Sequence, residues 1–220
     1  RPASIVKELL ENALDAGATE IAVDLEKGGC ESIRVTDNGE GITREDVPLA
    51  FARYATSKIG AFEDIYRVHS FGFRGEALPS IASISRIEMV TRRASSPAGT
   101  RVIIEGGEVK ELTDAGCPVG TSLLVSRIFE PVPVRRKFLK SDMTEQGYCL
   151  DVITRLALMQ CLVKIRVSAG AKSILNIPAV QDPAERIALT LGQDFRRQLV
   201  PAAGEISGVR LKGFISRPEF

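Results

Sequence analysis

Glu8, Asn12 and Asp15 are spaced four and three residues apart in the stretch VKELLENALDAGA. On a helix turning about 100° per residue they share one narrow face, with Asn12 about 40° and Asp15 about 20° to either side of Glu8. Val6, Leu9, Leu10, Ala13 and Leu14 fill the opposite arc. A solvated face has the same geometry, but such faces are usually built from Lys, Glu, Gln and Arg. Asn and Asp are poor helix formers, because their side chains compete for backbone groups. Asp15 also sits near the C-terminal end, where the helix dipole disfavours an anion. A carboxylate four residues before an amide offers a chemical reason. Glu8 is suited to take a proton from water, and the amide oxygen of Asn12 to hold a hard cation.

A second set follows a strand, in DNGEG. A plain hairpin turn competes as an explanation, since Asn38-Gly39 is a strong turn signal. Asp37 at the strand end keeps an acceptor-only carboxylate, which suits the exocyclic amine of adenine and repels the carbonyl oxygen of guanine. Gly39 and Gly41 let the backbone approach a flat ring or its phosphates. GFRGEAL, from Gly72 through Phe73, Arg74, Gly75, Glu76 and Ala77 to Leu78, sets two glycines before a helix, where free amides and the positive helix end favour anions. Thr56, Ser57 and Lys58 add two hydroxyls and a cation, and Thr121 enters a strand with its hydroxyl able to reach a base or a water. Arg135, Arg136 and Lys137, with Lys140, form a basic run that is either a solvated patch or a contact for nucleic-acid phosphates.

These residues need elements to hold them. A first helix is expected from Ser4, as N-cap, to Gly17 just past its end. TEIAVDLEKGG and SIRVTDNGEGI alternate as strands. TREDVPLAFARYA reads as a helix capped by Thr43 and Asp46, and EALPSIASIS as a helix with Pro79 in its first turn. An irregular stretch, 56–75, lies between them; a long loop of this kind is usually functional. RIEMVTRR, a hairpin around Gly106-Gly107, and GTSLLVSRIF follow as strands. Then come a helix from about Met143 to Cys161, the hairpin VKIRVSAGAKSILNI, and the helix DPAERIALTLG with Asp182 as N-cap and Gly192 past its end. The order is not strict βαβ alternation. It favours an α+β sandwich, a mixed sheet covered on one face by helices, in residues 1–180, with a second domain begun over 181–220.

Charge is nearly balanced, 29 basic against 28 acidic residues in 220. A nucleic-acid site must therefore be local. No apolar run approaches the roughly 20 residues of a membrane span. The four cysteines show no C-x-x-C spacing, as expected of reduced intracellular thiols. His69 is the single histidine, which excludes sites built on several. G-x-x-x-x-G-K-[ST] is absent, which excludes a P-loop. The chain starts on Arg1 and runs almost at once into a helix, as expected of a piece of a longer protein.

The order E-x-x-x-N, D-x-G-x-G, G-F-R-G-E-A-L, then G-T resembles the GHKL ATPase superfamily. The strings RPASIVKELLENALDAGAT, DNGEGI, ATSKI, GFRGEAL and RRKFLK are similar to its MutL mismatch-repair family over almost the whole chain. The resemblance implies the GHKL (Bergerat) α/β sandwich, followed by a ribosomal-protein-like second domain. It implies ATP and Mg²⁺ as cofactors. Glu8 becomes the general base, Asn12 the Mg²⁺ ligand, and Asp37 the reader of the adenine amine, with Gly41 and Thr121 nearby. Thr56, Ser57 and Lys58 begin a lid, Gly72 to Leu78 cradles phosphates, and Asp15 supports the site. Slow, direct hydrolysis, ATP-driven lid ordering and dimerisation follow. So do weak, non-specific DNA binding through Arg135, Arg136 and Lys137, and partnership with the mismatch-recognition protein MutS and a downstream nuclease or helicase. A bacterial cytoplasmic, nucleoid-associated place is implied, with no membrane.

Two departures stand out. FEPVPV, 129–134, replaces the family's F-Y-N-T-P-A. Most of the second domain, which supplies a lysine to the γ-phosphate, is not in the chain, so weak hydrolysis and weak dimerisation are expected of it. A type II topoisomerase ATPase domain, or a DNA clamp with an inert nucleotide pocket, remain the alternatives.

Overall fold

Alternation of apolar and polar residues decides the sheet. In the computed structural model, which describes residues 1–52 and 76–217, β1 (Glu20–Glu26) buries Ile21, Val23 and Leu25, and β2 (Ser32–Asp37) buries Ile33 and Val35. The same period recurs in β3 (Arg86–Arg92), β4 (Gly99–Glu105) and β6 (Gly120–Ser126) through Ile87, Met89, Val102, Ile104, Leu123 and Val125. With β5 (Glu108–Ala115), β7 (Lys164–Ala169) and β8 (Lys172–Ile177) these strands form one sheet of order β5-β4-β3-β6-β2-β1-β7-β8. β1 pairs antiparallel with β2 and parallel with β7, so the sheet is mixed.

Helix α1 (Pro2–Asp15) and helix α5 (Asp142–Met159) pack against each other, and their apolar residues join those of the sheet in one core. Fully burying side chains such as Val6, Leu10 and Ile153 stabilises the fold by about 1.5–3 kcal/mol each. β3, β4 and β5 carry charges between their inward residues. There Arg101 bonds Glu88 at 2.8 Å and Glu111 at 2.9 Å, and Arg86 bonds Glu105 at 2.8 Å.

Several element ends differ from expectation. α1 starts at Pro2, not after Ser4: proline at the first helical position needs no N–H partner, and the Ser4 N–H already donates to the Arg1 carbonyl at 3.0 Å. Its C-terminus does close on Gly17, φ +72°, with Gly17 N–H on Leu14 O and Ala18 N–H on Ala13 O. The helix expected after Thr43 is, among the described residues, α2 (Val47–Ala50). Thr43 and Asp46 bond each other side chain to side chain at 2.8 Å, ahead of it. α3 (Ala77–Ala82) holds Pro79 in its first turn as expected. A four-residue α4 (Pro133–Arg136) precedes α5, whose Ser141 cap accepts from Thr144 N–H.

Helix α6 (Pro183–Leu191) begins on the Asp182 cap, whose Oδ1 accepts from Ala184 N–H at 2.9 Å. Its Arg186 is fully buried and donates to four carbonyls: Ala157 at 2.7 Å, Pro178 at 2.6 Å, Gln160 at 2.8 Å and Val163 at 2.7 Å. Two belong to the C-terminal end of α5, where a cation suits the dipole. A short α7 (Gln193–Arg197), absent from the sequence expectation, leads into the two-stranded β9 (Leu199–Ile206) and β10 (Val209–Ser216).

Candidate functional site

Asp37 ends β2, paired with Ile21 of β1 on one side and Thr121 of β6 on the other. The loop after it docks on two elements instead of forming a hairpin. Gly39 N–H donates to Asp37 Oδ1 at 2.8 Å, and Glu40 N–H donates to the Ala16 carbonyl, at the end of α1, at 2.9 Å. Ile42 N–H donates to Thr91 Oγ1 at 2.9 Å. A Cβ on Gly39 would lie 2.7 Å from Ala16 O, and one on Gly41, φ +70°, would lie 2.0 Å from Arg92 O. Gly120, φ +120°, passes the Asp37 carbonyl just as closely. The glycines of D-x-G-x-G therefore serve first to seat the loop between α1 and β3.

Two residues that sequence reasoning missed build this seat. Asn38 accepts from Thr19 N–H and Glu20 N–H at 2.9 and 2.8 Å, and its Nδ2 donates to Thr19 Oγ1 at 2.9 Å. Its amide pins the start of β1, so the turn signal of Asn38-Gly39 was misleading. Thr91 is fully buried. Its hydroxyl donates to Gly120 O at 3.1 Å and lies 3.0 Å from Thr121 Oγ1. With that one proton committed, Thr121 is the donor to Thr91, and the Thr121 oxygen is left with acceptor capacity. No sequence signal marks Thr91, which is an ordinary inward residue of a strand.

Burial pushes the Asp37 carboxyl above its ordinary range, opposed by the backbone N–H groups of Gly39 and Thr121. A desolvated acceptor beside an acceptor hydroxyl is matched to a ligand that offers N–H groups.

The α1 stripe leads away from this point. At about 1.5 Å per residue, Asn12 lies about 6 Å and Glu8 about 12 Å along the axis from Ala16. Glu8, Asn12 and Asp15 are each partly buried, and the Glu8 side chain is 41% exposed. Lys7 Nζ stands 3.9 Å from Glu8 and 2.7 Å from Glu11. Glu11, buried and not singled out from sequence, holds the Lys7 ammonium above its ordinary pKa through that hydrogen bond. Among the described residues no group of three His, Cys, Asp or Glu could hold a metal. A cation at the Asn12 amide would therefore draw most of its ligands from elsewhere, which fits Mg²⁺ carried on phosphates and water.

Of the anion loop, Glu76 is exposed, while Ala77 and Leu78 begin α3 and are partly buried. Thr56, Ser57, Lys58, Gly72, Phe73, Arg74 and Gly75 lie outside the described residues, as does His69. Arg135, Arg136 and Lys137 are exposed on and just after α4, between β6 and α5. The four cysteines are free thiols. Burial, with Glu145 adding, pushes Cys149 up to about 12.

A mixed sheet roofed by helices, with a D-x-G-x-G loop seated on the end of an E-x-x-x-N helix, defines a GHKL-type ATPase domain. Residues 1–106 match the family described as histidine kinase-, DNA gyrase B- and HSP90-like ATPase. Over 220 residues, all of this chain and 36% of the relative, the sequence is 61% identical to the DNA mismatch repair protein MutL of Syntrophus aciditrophicus. It is 47% identical to that of Opitutus terrae, over 99% of this chain and 35% of the relative. The Aquifex aeolicus MutL ATPase domain complexed with ADP superposes with a TM-score of 0.78 at 31% identity, covering 99% of this chain and 77% of that one. The chain belongs to the MutL family and corresponds to most of its ATPase domain. It spans about a third of the length of the curated relatives it matches. Identity along the whole chain favours this family over a topoisomerase ATPase subunit.

Proposed function

We propose that the chain binds ATP across the end of β2 and the polar stripe of α1, and that in its longer protein it hydrolyses ATP slowly in mismatch repair. The observation that carries this is the bond from Glu40 N–H to Ala16 O. It fixes the loop after Asp37 on the end of a helix whose Asn12 and Glu8 lie about 6 and 12 Å along the axis from Ala16, a span suited to a base at one end and phosphates at the other. Asp37 accepts the adenine amine, and Thr121 accepts a further donor of the base or of a water.

Asn12 contributes its amide oxygen to Mg²⁺, which when bound offsets phosphate charge. Glu8 accepts the proton of the attacking water, and its partial exposure leaves it accessible. Asp15 supports the site from the last turn. The stretches 56–58 and 72–78 are assigned the lid and the phosphate cradle.

The division into an ATPase unit, 1–180, and the start of a second unit, 181–220, is proposed on the separate β9–β10 pair. From membership of the family we also propose weak hydrolysis by the isolated chain, ATP-driven dimerisation, cooperation with MutS and a nuclease or helicase, DNA contact through Arg135, Arg136 and Lys137, and a bacterial cytoplasmic, nucleoid-associated place. The Aquifex domain is an ADP complex, which supports nucleotide binding by this chain.

Glu8→Ala in the full-length protein tests the mechanism. Hydrolysis is expected to fall by about 10²–10⁴-fold, with ATP affinity preserved. Equal turnover by parent and variant would return the chain to a clamp with an inert pocket.

A further inference from the structure

The N-terminal end of α1 is held by a feature that the proposed chemistry does not use. Glu145, in the first turn of α5, has a fully buried side chain. Its Oε1 accepts from Arg1 Nη2 at 3.2 Å and from Lys140 N–H at 3.0 Å. The same guanidinium lies over the Tyr148 ring, 4.4 Å from its centroid. α1 has no side-chain cap at that end.

We propose that Glu145 is a positioning residue for Glu8, acting through Arg1. The proposal rests on the assignment of Glu8 as the base. The apolar face of α1 resists separation from the core, but burial is non-directional and tolerates small slides and rotations about the helix axis. Directional contacts must set those two freedoms. At the C-terminal end the Glu40 N–H to Ala16 O bond does so. At the other end the grip of Glu145 and Tyr148 on Arg1 does so, and Glu8 lies two turns from it. The Lys140 N–H bond keeps the Glu145 carboxylate in place from the α4–α5 connection. A misplacement on the order of 1 Å at a reacting group is enough to cost about a hundredfold in rate.

Arg1→Met, Arg1→Lys and Glu145→Gln in the full-length protein test this by steady-state kinetics and ATP titration. Arg1→Met and Glu145→Gln are expected to lower kcat about tenfold, with KM and ATP affinity within about twofold. Arg1→Lys, which keeps the charge, is expected to recover part of the loss. The double variant Arg1→Met with Glu145→Gln is expected to be no slower than Arg1→Met alone, because the two groups act as one. Parent-level kcat, additive losses, or affinity falling in step with kcat would overturn the proposal. Hydrogen exchange separates it from the assignment of Glu8: amides in the first two turns of α1 lose protection in Arg1→Met whether or not Glu8→Ala is silent. Unchanged exchange there refutes the clamp, and a silent Glu8→Ala refutes the base.

Discussion

Asp37 carries the sharpest conflict between stability and the proposed function. Its folded pKa is raised above the unfolded value near 3.8 by burial, against two N–H groups that lower it. The folded chain thus holds this proton to higher pH than the unfolded chain does. The contribution to stability is fullest below that value and declines as pH rises through it to the raised one. Asp37→Asn removes the charge and keeps an oxygen for Gly39 N–H. It is expected to raise the Tm at pH 7 in calorimetry while weakening ATP binding by about 10–100-fold, the range for losing a hydrogen bond to a charged group. A lower Tm with unchanged affinity would reverse both assignments. Asp37 was legible from sequence because an acid at a strand end before glycines is unusual. Thr91 and Asn38 were not, because their importance lies in which N–H groups the fold brings to them.

At the scale of elements, the loop 38–41 depends on backbone surfaces meeting closely. A Cβ on Gly41 meets the Arg92 carbonyl at 2.0 Å in a left-handed conformation, whereas a Cβ on Gly106, φ +62°, meets nothing within 4 Å. Gly106→Ala is therefore expected to cost only the conformational strain, about 1–2 kcal/mol. Gly41→Ala is expected to cost several times more and to lose nucleotide binding, since Ile42 N–H leaves Thr91. Denaturant unfolding and ATP titration of the two variants side by side check this; equal losses would mean that the loop is not seated as described. Both glycines sat in turn signals in the sequence, yet only Gly41 is packed against another strand. Turn propensity is local, and close approach is not.

Across the whole molecule, α5 joins the two ends of the structure: Glu145 grips α1 at its start, and Arg186 of α6 grips its last carbonyls. Arg186→Met removes the guanidinium donor from four carbonyls, of which those of Ala157 and Gln160 keep a backbone N–H. It is expected to strip amide protection from α6, Pro183–Leu191, while strands β1, β2 and β6 keep theirs, as read by hydrogen exchange. Retained protection in α6 would show that apolar contacts alone hold it. The near-neutral net charge makes any DNA contact a local matter. Replacing Arg135, Arg136 and Lys137 by Gln in the full-length protein should reduce the slope of log affinity against log salt by roughly 0.9 for each phosphate no longer neutralised. An unchanged slope would make the run a solvated patch.

The sequence by itself determined the class of fold and the family. Period-2 strands, the helical stripe from Glu8 to Asp15 and the glycine spacing after Asp37 are local patterns, set by covalent geometry and by which residues avoid water. Element ends were legible at Gly17 and Asp182, where a glycine or a capping side chain marks them, and missed at Pro2 and after Thr43. Tertiary structure decided what those patterns touch. It turned Asn38 from a turn residue into a pin for β1, directed the Thr121 proton to Thr91, buried Glu11 under Lys7, and set Arg186 on the end of α5. Each of these is a hydrogen bond or ion pair whose partner comes from another turn or element. A buried polar group must find a partner, but only the folded chain determines which one is within about 3 Å.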